Sequence, residues 1–373
     1  MIYCLIVGLP VLLAYCADKT KGALNVILTV AALFVPCFFA GVRDETVGTD
    51  VLTYGIWTFN AAEAQGFTEF MHSYAAISAP GFNLLSWIMG RTGSFELYLG
   101  SIQALTVCPL YLYVRRRYRK STWSAMAIYM LLLFPISLNA MKQMIAVSFC
   151  LTAYELIERK KFAKFTIYIL IIALLFHQTA VVFLVAYPII RLLYGMHDGQ
   201  NAFFGKVQGL ITWTIIAALF FIAFVFGNLL IELIAPIKDS YSYQLQASGS
   251  RLNYSALVMT AVLIATYLIW RPKNRANGSG LSKEQAVLAS VSIIGSIAFQ
   301  LNIIATSLLR FAYYFVSFLT LYIPSLMKDS AGKAARRSAW ILLIFFVFYF
   351  VQVYVINGGN AVYPYTSVIL GVG

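Results

Sequence analysis

Charge is scarce in this sequence. Only 11% of its 373 residues are Asp, Glu, Lys or Arg, while 61% are hydrophobic. A water-soluble core cannot hide that much apolar side chain, so soluble enzymes and binding domains are excluded. Acids are the rarer sign, with 14 Asp and Glu against 27 Lys and Arg. There are three His and five Cys (Cys4, Cys16, Cys37, Cys108, Cys150), with no CxxC pair and no Cys/His cluster. Each Cys falls within or at the end of an apolar run and behaves as a small buried hydrophobe. No metal site, disulfide or cofactor is expected. The first residues lack a basic leader before Ile2–Ala14 and a small-x-small cleavage pattern, so no signal peptide is read there. Leu13-Ala14-Tyr15-Cys16 is a poor lipoprotein box, because Tyr15 is too large. No stacking motif or basic helix points to nucleic acid. No internal repeat is visible, and no shift in composition suggests a soluble domain.

What is present is a succession of apolar runs, with mean hydropathy +0.80. Runs of roughly 17–25 residues suit helices that cross a bilayer. Helices satisfy their own backbone groups in hydrocarbon, so the fold class is an all-α polytopic membrane protein. Candidate spans are 2–17, 23–41, 95–114, 122–138, 141–158, 165–193, 208–230, 254–270, 286–305, 308–327 and 338–357. Counting 165–193 as a broken pair gives about 11–12 helices in one transmembrane domain over 1–373. Two polar stretches are long. The segment 42–80 contains possible amphipathic helix, and 231–253 is rich in Tyr, Ser and Gln.

Basic residues orient such a chain, because Lys and Arg concentrate in cytoplasmic loops. The clusters are Arg115–Lys120, Arg159–Lys164, Arg271–Lys283 and Lys328–Arg337. Simple alternation puts the 271–283 loop outside if 165–193 crosses once. A helix that enters from the cytoplasm, breaks at His177-Gln178-Thr179 and returns puts every cluster inside. A single crossing is the alternative. On the broken-helix topology only Arg43, Arg91, Lys142, Lys238, Arg251 and Arg310 escape the cytoplasmic loops. The segments 42–80 and 231–253 are then extracytoplasmic.

Three ionisable islands interrupt the apolar runs. They are Asn139-Ala140-Met141-Lys142-Gln143, Phe176-His177-Gln178-Thr179-Ala180 and Arg310-Phe311-Ala312-Tyr313-Tyr314. Hydrocarbon penalises such groups, so they point to a polar cavity or reaction site. Lys142 and Arg310 fit two accounts: snorkelling to the interface, or holding an anionic ligand. Arg grips phosphate bidentately and Lys acts as a point charge. Arg310, Tyr313, Tyr314 and Ser317 are spaced to share a helix face, and so are Asn139, Lys142 and Gln143. His177 is either a buried structural residue or part of the site. Between the second and third spans lies Arg43-Asp44-Glu45-Thr46-Val47-Gly48-Thr49-Asp50, then Tyr54. Gly48 permits a tight turn, and Thr49 and Asp50 offer local hydrogen bonds.

Val47-Gly48-Thr49-Asp50 with Tyr54, behind Arg43, resembles the early signature of the EpsG-like polysaccharide polymerases. These are related to Wzy-type enzymes of capsule, exopolysaccharide and O-antigen assembly. Asn139 to Ala146 resembles their Asn-x-x-Arg-Gln-x-x-Ala segment. Phe176-His177-x-x-Ala180 resembles their Phe-His-x-(Ser/Thr)-Ala segment. Arg310 with Tyr313 and Tyr314, then Tyr363-Pro364-Tyr365, match later features. The set covers nearly the whole chain in order. Lys142 departs from the pattern, standing where the family usually has Arg.

The resemblance implies a GT-C-like membrane glycosyltransferase in a bacterial cell membrane, working at its outer face without a metal. The donor would be a glycan on polyprenyl (undecaprenyl) pyrophosphate, and the acceptor a fresh lipid-linked repeat unit. A flippase and a chain-length regulator would be its partners. On this reading Asp50, His177 and Arg310 are catalytic. Asp50 is the favoured general base, and His177 the rival base or a phosphate contact. Arg43, Thr49, Tyr54, Asn139, Lys142, Gln143, Tyr313 and Tyr314 bind substrate. The alternatives are a lipid-linked oligosaccharide flippase or transporter, and an O-antigen ligase. A membrane O-acetyltransferase is disfavoured, because no acyl-carrier site is seen.

Overall fold

The computed structural model describes residues 2–73, 79–196, 252–269, 281–303, 306–328 and 331–373. The expected span 208–230 and most of the polar stretch 231–253 lie outside the described residues, as does most of the 271–283 loop. Among the described residues there are helices and turns, and no strand. Seven helices among the described residues are long and apolar enough to cross a membrane: Ile2–Lys19 (α1), Gly22–Gly41 (α2), Phe95–Arg117, Thr122–Asn139, Gln178–Met196, Lys283–Ile303 and Lys333–Ile356. Three shorter apolar helices are Phe162–Leu175, Tyr254–Ile269 and Ala312–Met327.

The chain divides into two compact units. The first comprises Met1–Leu156, Lys161–Val181 and Ile323–Gly373. In it α1 and α2 form a hairpin, and α2 lies against the helix Phe95–Arg117. The polar segment between them folds as Ile56–Ala64 (α3), Phe67–His72 (α4) and Pro80–Gly90 (α5). Phe95–Arg117 is therefore α6. Two glycines set the α2–α6 approach. A Cβ at Gly41 would stand 2.7 Å from the Glu96 carbonyl oxygen, and one at Gly100 would stand 3.3 Å from that of Cys37.

Thr122–Asn139 (α7) contains a π-helical turn at Tyr129–Leu133. Pro135 explains it, since proline cannot donate to the carbonyl one turn earlier. Met141–Thr152 (α8) follows after a break at Ala140 (φ −118°, ψ 56°). This break corrects an expectation. Asn139 does not share a helix face with Lys142 and Gln143, because it closes one helix while they open the next. α6 and α8 run side by side in the same direction. Leu99 and Ile102 cluster with Met141 and Ile145, Ser148 Oγ accepts from the Leu110 N–H at 3.1 Å, and Arg116 pairs with Glu155.

Phe162–Leu175 (α9) stops where the sequence places a break. His177 is outside any helix, and a 3₁₀ segment, Gln178–Val185, takes over. Packing enforces the stop, because Gly81 of α5 abuts the Leu175 carbonyl, where a Cβ would stand 2.8 Å away.

The second unit comprises Ile157–Lys160 and Val182–Tyr322. It contains Ala186–Met196 (α10), Tyr254–Ile269 (α11) and Lys283–Ala298 (α12). Ser282 and Gln285 cap α12 reciprocally. The expected span 308–327 is not one regular helix. It is three pieces, Thr306–Leu309, Ala312–Val316 and Leu319–Met327, separated by turns at Arg310–Phe311 and Ser317–Phe318. Bonds from Phe311 N–H to the Leu308 carbonyl and from Tyr313 N–H to the Arg310 carbonyl tighten the first turn. Phe311 (φ −67°, ψ −28°) and Ser317 (φ −57°, ψ −24°) keep helical angles, and Ser317 N–H donates to the Tyr313 carbonyl at 3.2 Å, so Tyr313 and Ser317 stay one helical turn apart.

Candidate active site

The loop after α2 is held by segments far away in sequence. Asp44 N–H donates to the Thr366 carbonyl at 3.0 Å, and Asp44 Oδ1 accepts from Val368 N–H at 2.8 Å. Gly48 has φ +87° and donates to the Ala361 carbonyl at 2.8 Å. Its missing side chain matters, since a Cβ there would lie 2.2 Å from the Leu138 carbonyl oxygen. Thr49 then meets Asn139. Both its N–H (3.1 Å) and its hydroxyl donate to Asn139 Oδ1. Asn139 Nδ2 donates onward to Asn360 Oδ1 at 3.2 Å. The turn at Gly48 thus sets Thr49 and Asp50 against the junction of α7 and α8.

Asp50 is 7% exposed. Its Oδ2 accepts from Tyr54 OH at 2.5 Å and from the Met141 N–H at 3.1 Å. Tyr54 lies four residues on, in a π-helical turn at Val51–Gly55. Burial first, and then the Asp50 charge, hold the Tyr54 phenol well above its ordinary pKa, so it stays protonated and donates. Met141 opens α8, where free N–H groups and the helix dipole favour a carboxylate. The Lys142 N–H turns to Tyr54 OH at 3.3 Å.

The Lys142 side chain lies over two rings. Its Nζ is 4.3 Å from the Tyr54 centroid and 4.8 Å from that of Phe82. Cation–π attraction of this kind strengthens as water is removed. Arg43 lies in the same first unit, 6% exposed, with Nη2 3.4 Å from Met141 Sδ and Nε without a hydrogen-bond partner among the described residues. Burial pulls its pKa down to about 10, opposed by the nearby Tyr365, Asp50 and Tyr54. It therefore remains charged at neutral pH.

Gln143 is 1% exposed, and its Nε2 donates to Thr179 Oγ1 at 3.4 Å. Thr179 in turn contacts His177 Nδ1, through its hydroxyl at 2.6 Å and its N–H at 3.3 Å. Phe176 stacks on Phe149 with centroids 5.5 Å apart, which fixes the residue before His177.

The sequence-predicted residues of the first unit therefore come together in two layers. Arg43, Asp50 and Gln143 are buried. Thr49 is exposed, and Tyr54, Asn139, Lys142 and His177 are half-buried. Arg310, Tyr313 and Tyr314 belong to the second unit. There Arg310 is half-buried, Tyr313 packs against Phe299 and Tyr314 against Phe183. Sequence reasoning missed Phe82, whose ring carries Lys142, and Asn360, which braces Asn139. Pro80 stands in the first turn of α5, where proline is well tolerated, but nothing in the sequence marks Phe82 itself. Among the described residues, no three His, Cys, Asp or Glu are grouped to hold a metal ion.

The arrangement offers a desolvated ammonium, a histidine and several hydroxyls on a rigid frame, which suits stabilisation of an anionic group. The model of the EpsG family matches residues 26–367. No curated protein and no solved structure is significantly similar to the chain. The match spans nearly the whole sequence, so the chain belongs to the EpsG family and is a multi-pass membrane polysaccharide polymerase of the Wzy-like kind.

Proposed function

We propose that the protein transfers a growing glycan from polyprenyl (undecaprenyl) pyrophosphate to the non-reducing sugar of a fresh lipid-linked repeat unit. An acceptor hydroxyl attacks the anomeric carbon of the donor chain. The bond from that carbon to the pyrophosphate oxygen breaks, and its electron pair leaves with the pyrophosphate. The acceptor proton passes to solvent. The observation that carries this reading is Lys142, an ammonium held over Tyr54 and Phe82 at the start of α8. Charge develops on the leaving pyrophosphate, and a preorganised cation stabilises it there. Arg43 adds positive potential from behind. Arg310, with Tyr313 and Tyr314, is assigned to the lipid-linked substrates. Thr49 and Asn139 contribute sugar contacts at the rim.

The reaction is placed at the extracytoplasmic face. In support, α6 has 23 residues, or roughly 35 Å at about 1.5 Å per residue, enough to span the hydrocarbon. Arg115–Arg117 end it on the side that basic clusters favour, the cytoplasm. The Asp50–Lys142 layer lies toward its other end, where Leu99 and Ile102 meet Met141 and Ile145. Cysteine at the exposed Thr46 is expected to react with an impermeant outside reagent, and cysteine at the exposed Lys120 is not. The broken-helix topology adds that position 275 stays unlabelled from outside. Labelling there would restore the single crossing of 165–193.

Asp50 is assigned to hold the start of α8 and the Tyr54 phenol. Asp50→Asn is then expected to keep substantial transfer, since an amide oxygen still accepts from the Met141 N–H. A loss of roughly 1.5–3 kcal/mol in stability is expected from weakening charge-assisted bonds. Transfer abolished at intact donor binding would instead make Asp50 the general base.

The lipid-linked glycans of a strain lacking the protein test the function. Single repeat units displayed outside are expected. Units trapped inside would indicate a flippase, and full-length polymer left on the lipid carrier a ligase.

A further inference from the structure

Gln143, Thr179 and His177 form a hydrogen-bonded chain whose direction at His177 is set by the Thr179 backbone N–H. An amide nitrogen only donates, so the Thr179 hydroxyl oxygen accepts from Gln143 Nε2. The hydroxyl proton is then available to His177 Nδ1, 2.6 Å away. The Thr179 backbone N–H also reaches Nδ1, at 3.3 Å, and it too can only donate. Nδ1 is therefore an acceptor. In a neutral imidazole the other nitrogen then carries the proton. The chain is anchored at its base, because Gln143 is 1% exposed. It is also braced beside His177, where Phe176 stacks on Phe149.

We propose that Gln143 and Thr179 are positioning residues that hold His177 in its Nε2–H form, so that His177 serves the reaction as a hydrogen-bond donor to an anionic oxygen of the leaving pyrophosphate. A histidine in that form offers no lone pair at Nε2, and so it does not take the acceptor proton. The choice of pyrophosphate rests on the function proposed above, whereas the tautomer does not. Gln143, expected to bind substrate, acts through Thr179 instead.

The test uses full-length protein labelled with ring-¹⁵N histidine in lipid nanodiscs. The chain has only three His, so the difference from a His177→Gln spectrum isolates the His177 signals. The wild type is expected to show an acceptor Nδ1 and a protonated Nε2. Thr179→Val keeps the shape and removes the hydroxyl. It leaves only the backbone N–H on Nδ1, and is expected to raise the share of the Nδ1–H form and to lower kcat about tenfold with little change in KM, the scale of one misdirected hydrogen bond. Thr179→Ser is expected to restore both the spectrum and kcat. A wild-type Nδ1–H signal would overturn the proposal, and so would an unchanged tautomer in Thr179→Val. A shifted tautomer with wild-type kcat would overturn the donor role. A wild-type protein that elongates no lipid-linked repeat would sink the pyrophosphate assignment while the tautomer result stands.

Discussion

Lys142→Gln is expected to lower polymer formation roughly 10²–10³-fold, while Lys142→Arg keeps most of it. The estimate follows from removing one preorganised charged donor, which typically costs about 2.7–4 kcal/mol of transition-state stabilisation. Gln retains a donor and similar length but no charge. Arg retains the charge and still stacks on the Tyr54 and Phe82 rings. The backbone contact from Lys142 N–H to Tyr54 is common to all three, so folding should differ little. Polymer length on gels, normalised to membrane-inserted protein, measures the effect. Equal polymer from the Gln variant would mean that no anion meets this side chain.

Gly48→Ala is expected to be as severe for a different reason. Its φ of +87° already costs an L-residue roughly 1–2 kcal/mol. The added methyl would also lie 2.2 Å from the Leu138 carbonyl oxygen, so the backbone must separate. Separation would break the Thr49–Asn139 bonds and draw Asp50 off the Met141 N–H. Gly22→Ala is the control. Gly22 has φ +63°, but nothing lies within 4 Å of a Cβ there. It is expected to carry the strain alone and to make polymer. Comparable loss in both variants would show that strain, not the contact with Leu138, governs the turn.

Much of the architecture was legible in the sequence because hydrocarbon imposes simple rules. Length and apolarity located most of the described spans, though 141–158 divides into Met141–Thr152 and Tyr154–Glu158 and 308–327 is interrupted by turns. The break near His177 was legible because a polar trio interrupts an apolar run, and the structure ends α9 at Leu175. The islands around Lys142 and His177 were legible for the same reason, since polar groups in apolar runs stand out. What was illegible is pairing over long separations. Nothing in Asn139 announces that it will accept from Thr49 and donate to Asn360. The break at Ala140 has no Pro or Gly to signal it, so helical spacing wrongly joined Asn139 to Lys142. Depth was also invisible. Arg43 and Asp50 occupy a polar loop, where exposure is the natural expectation, yet the C-terminal segment and the α8 start bury them.

The central claim is glycosyl transfer from a polyprenyl pyrophosphate donor, and incubation of purified protein with a defined lipid-linked repeat unit tests it most directly. In vesicles, a polymerase gives a ladder of longer lipid-linked glycans, with one polyprenyl pyrophosphate released per repeat added. Repeat units that cross the vesicle membrane without growing, and without releasing polyprenyl pyrophosphate, would contradict it.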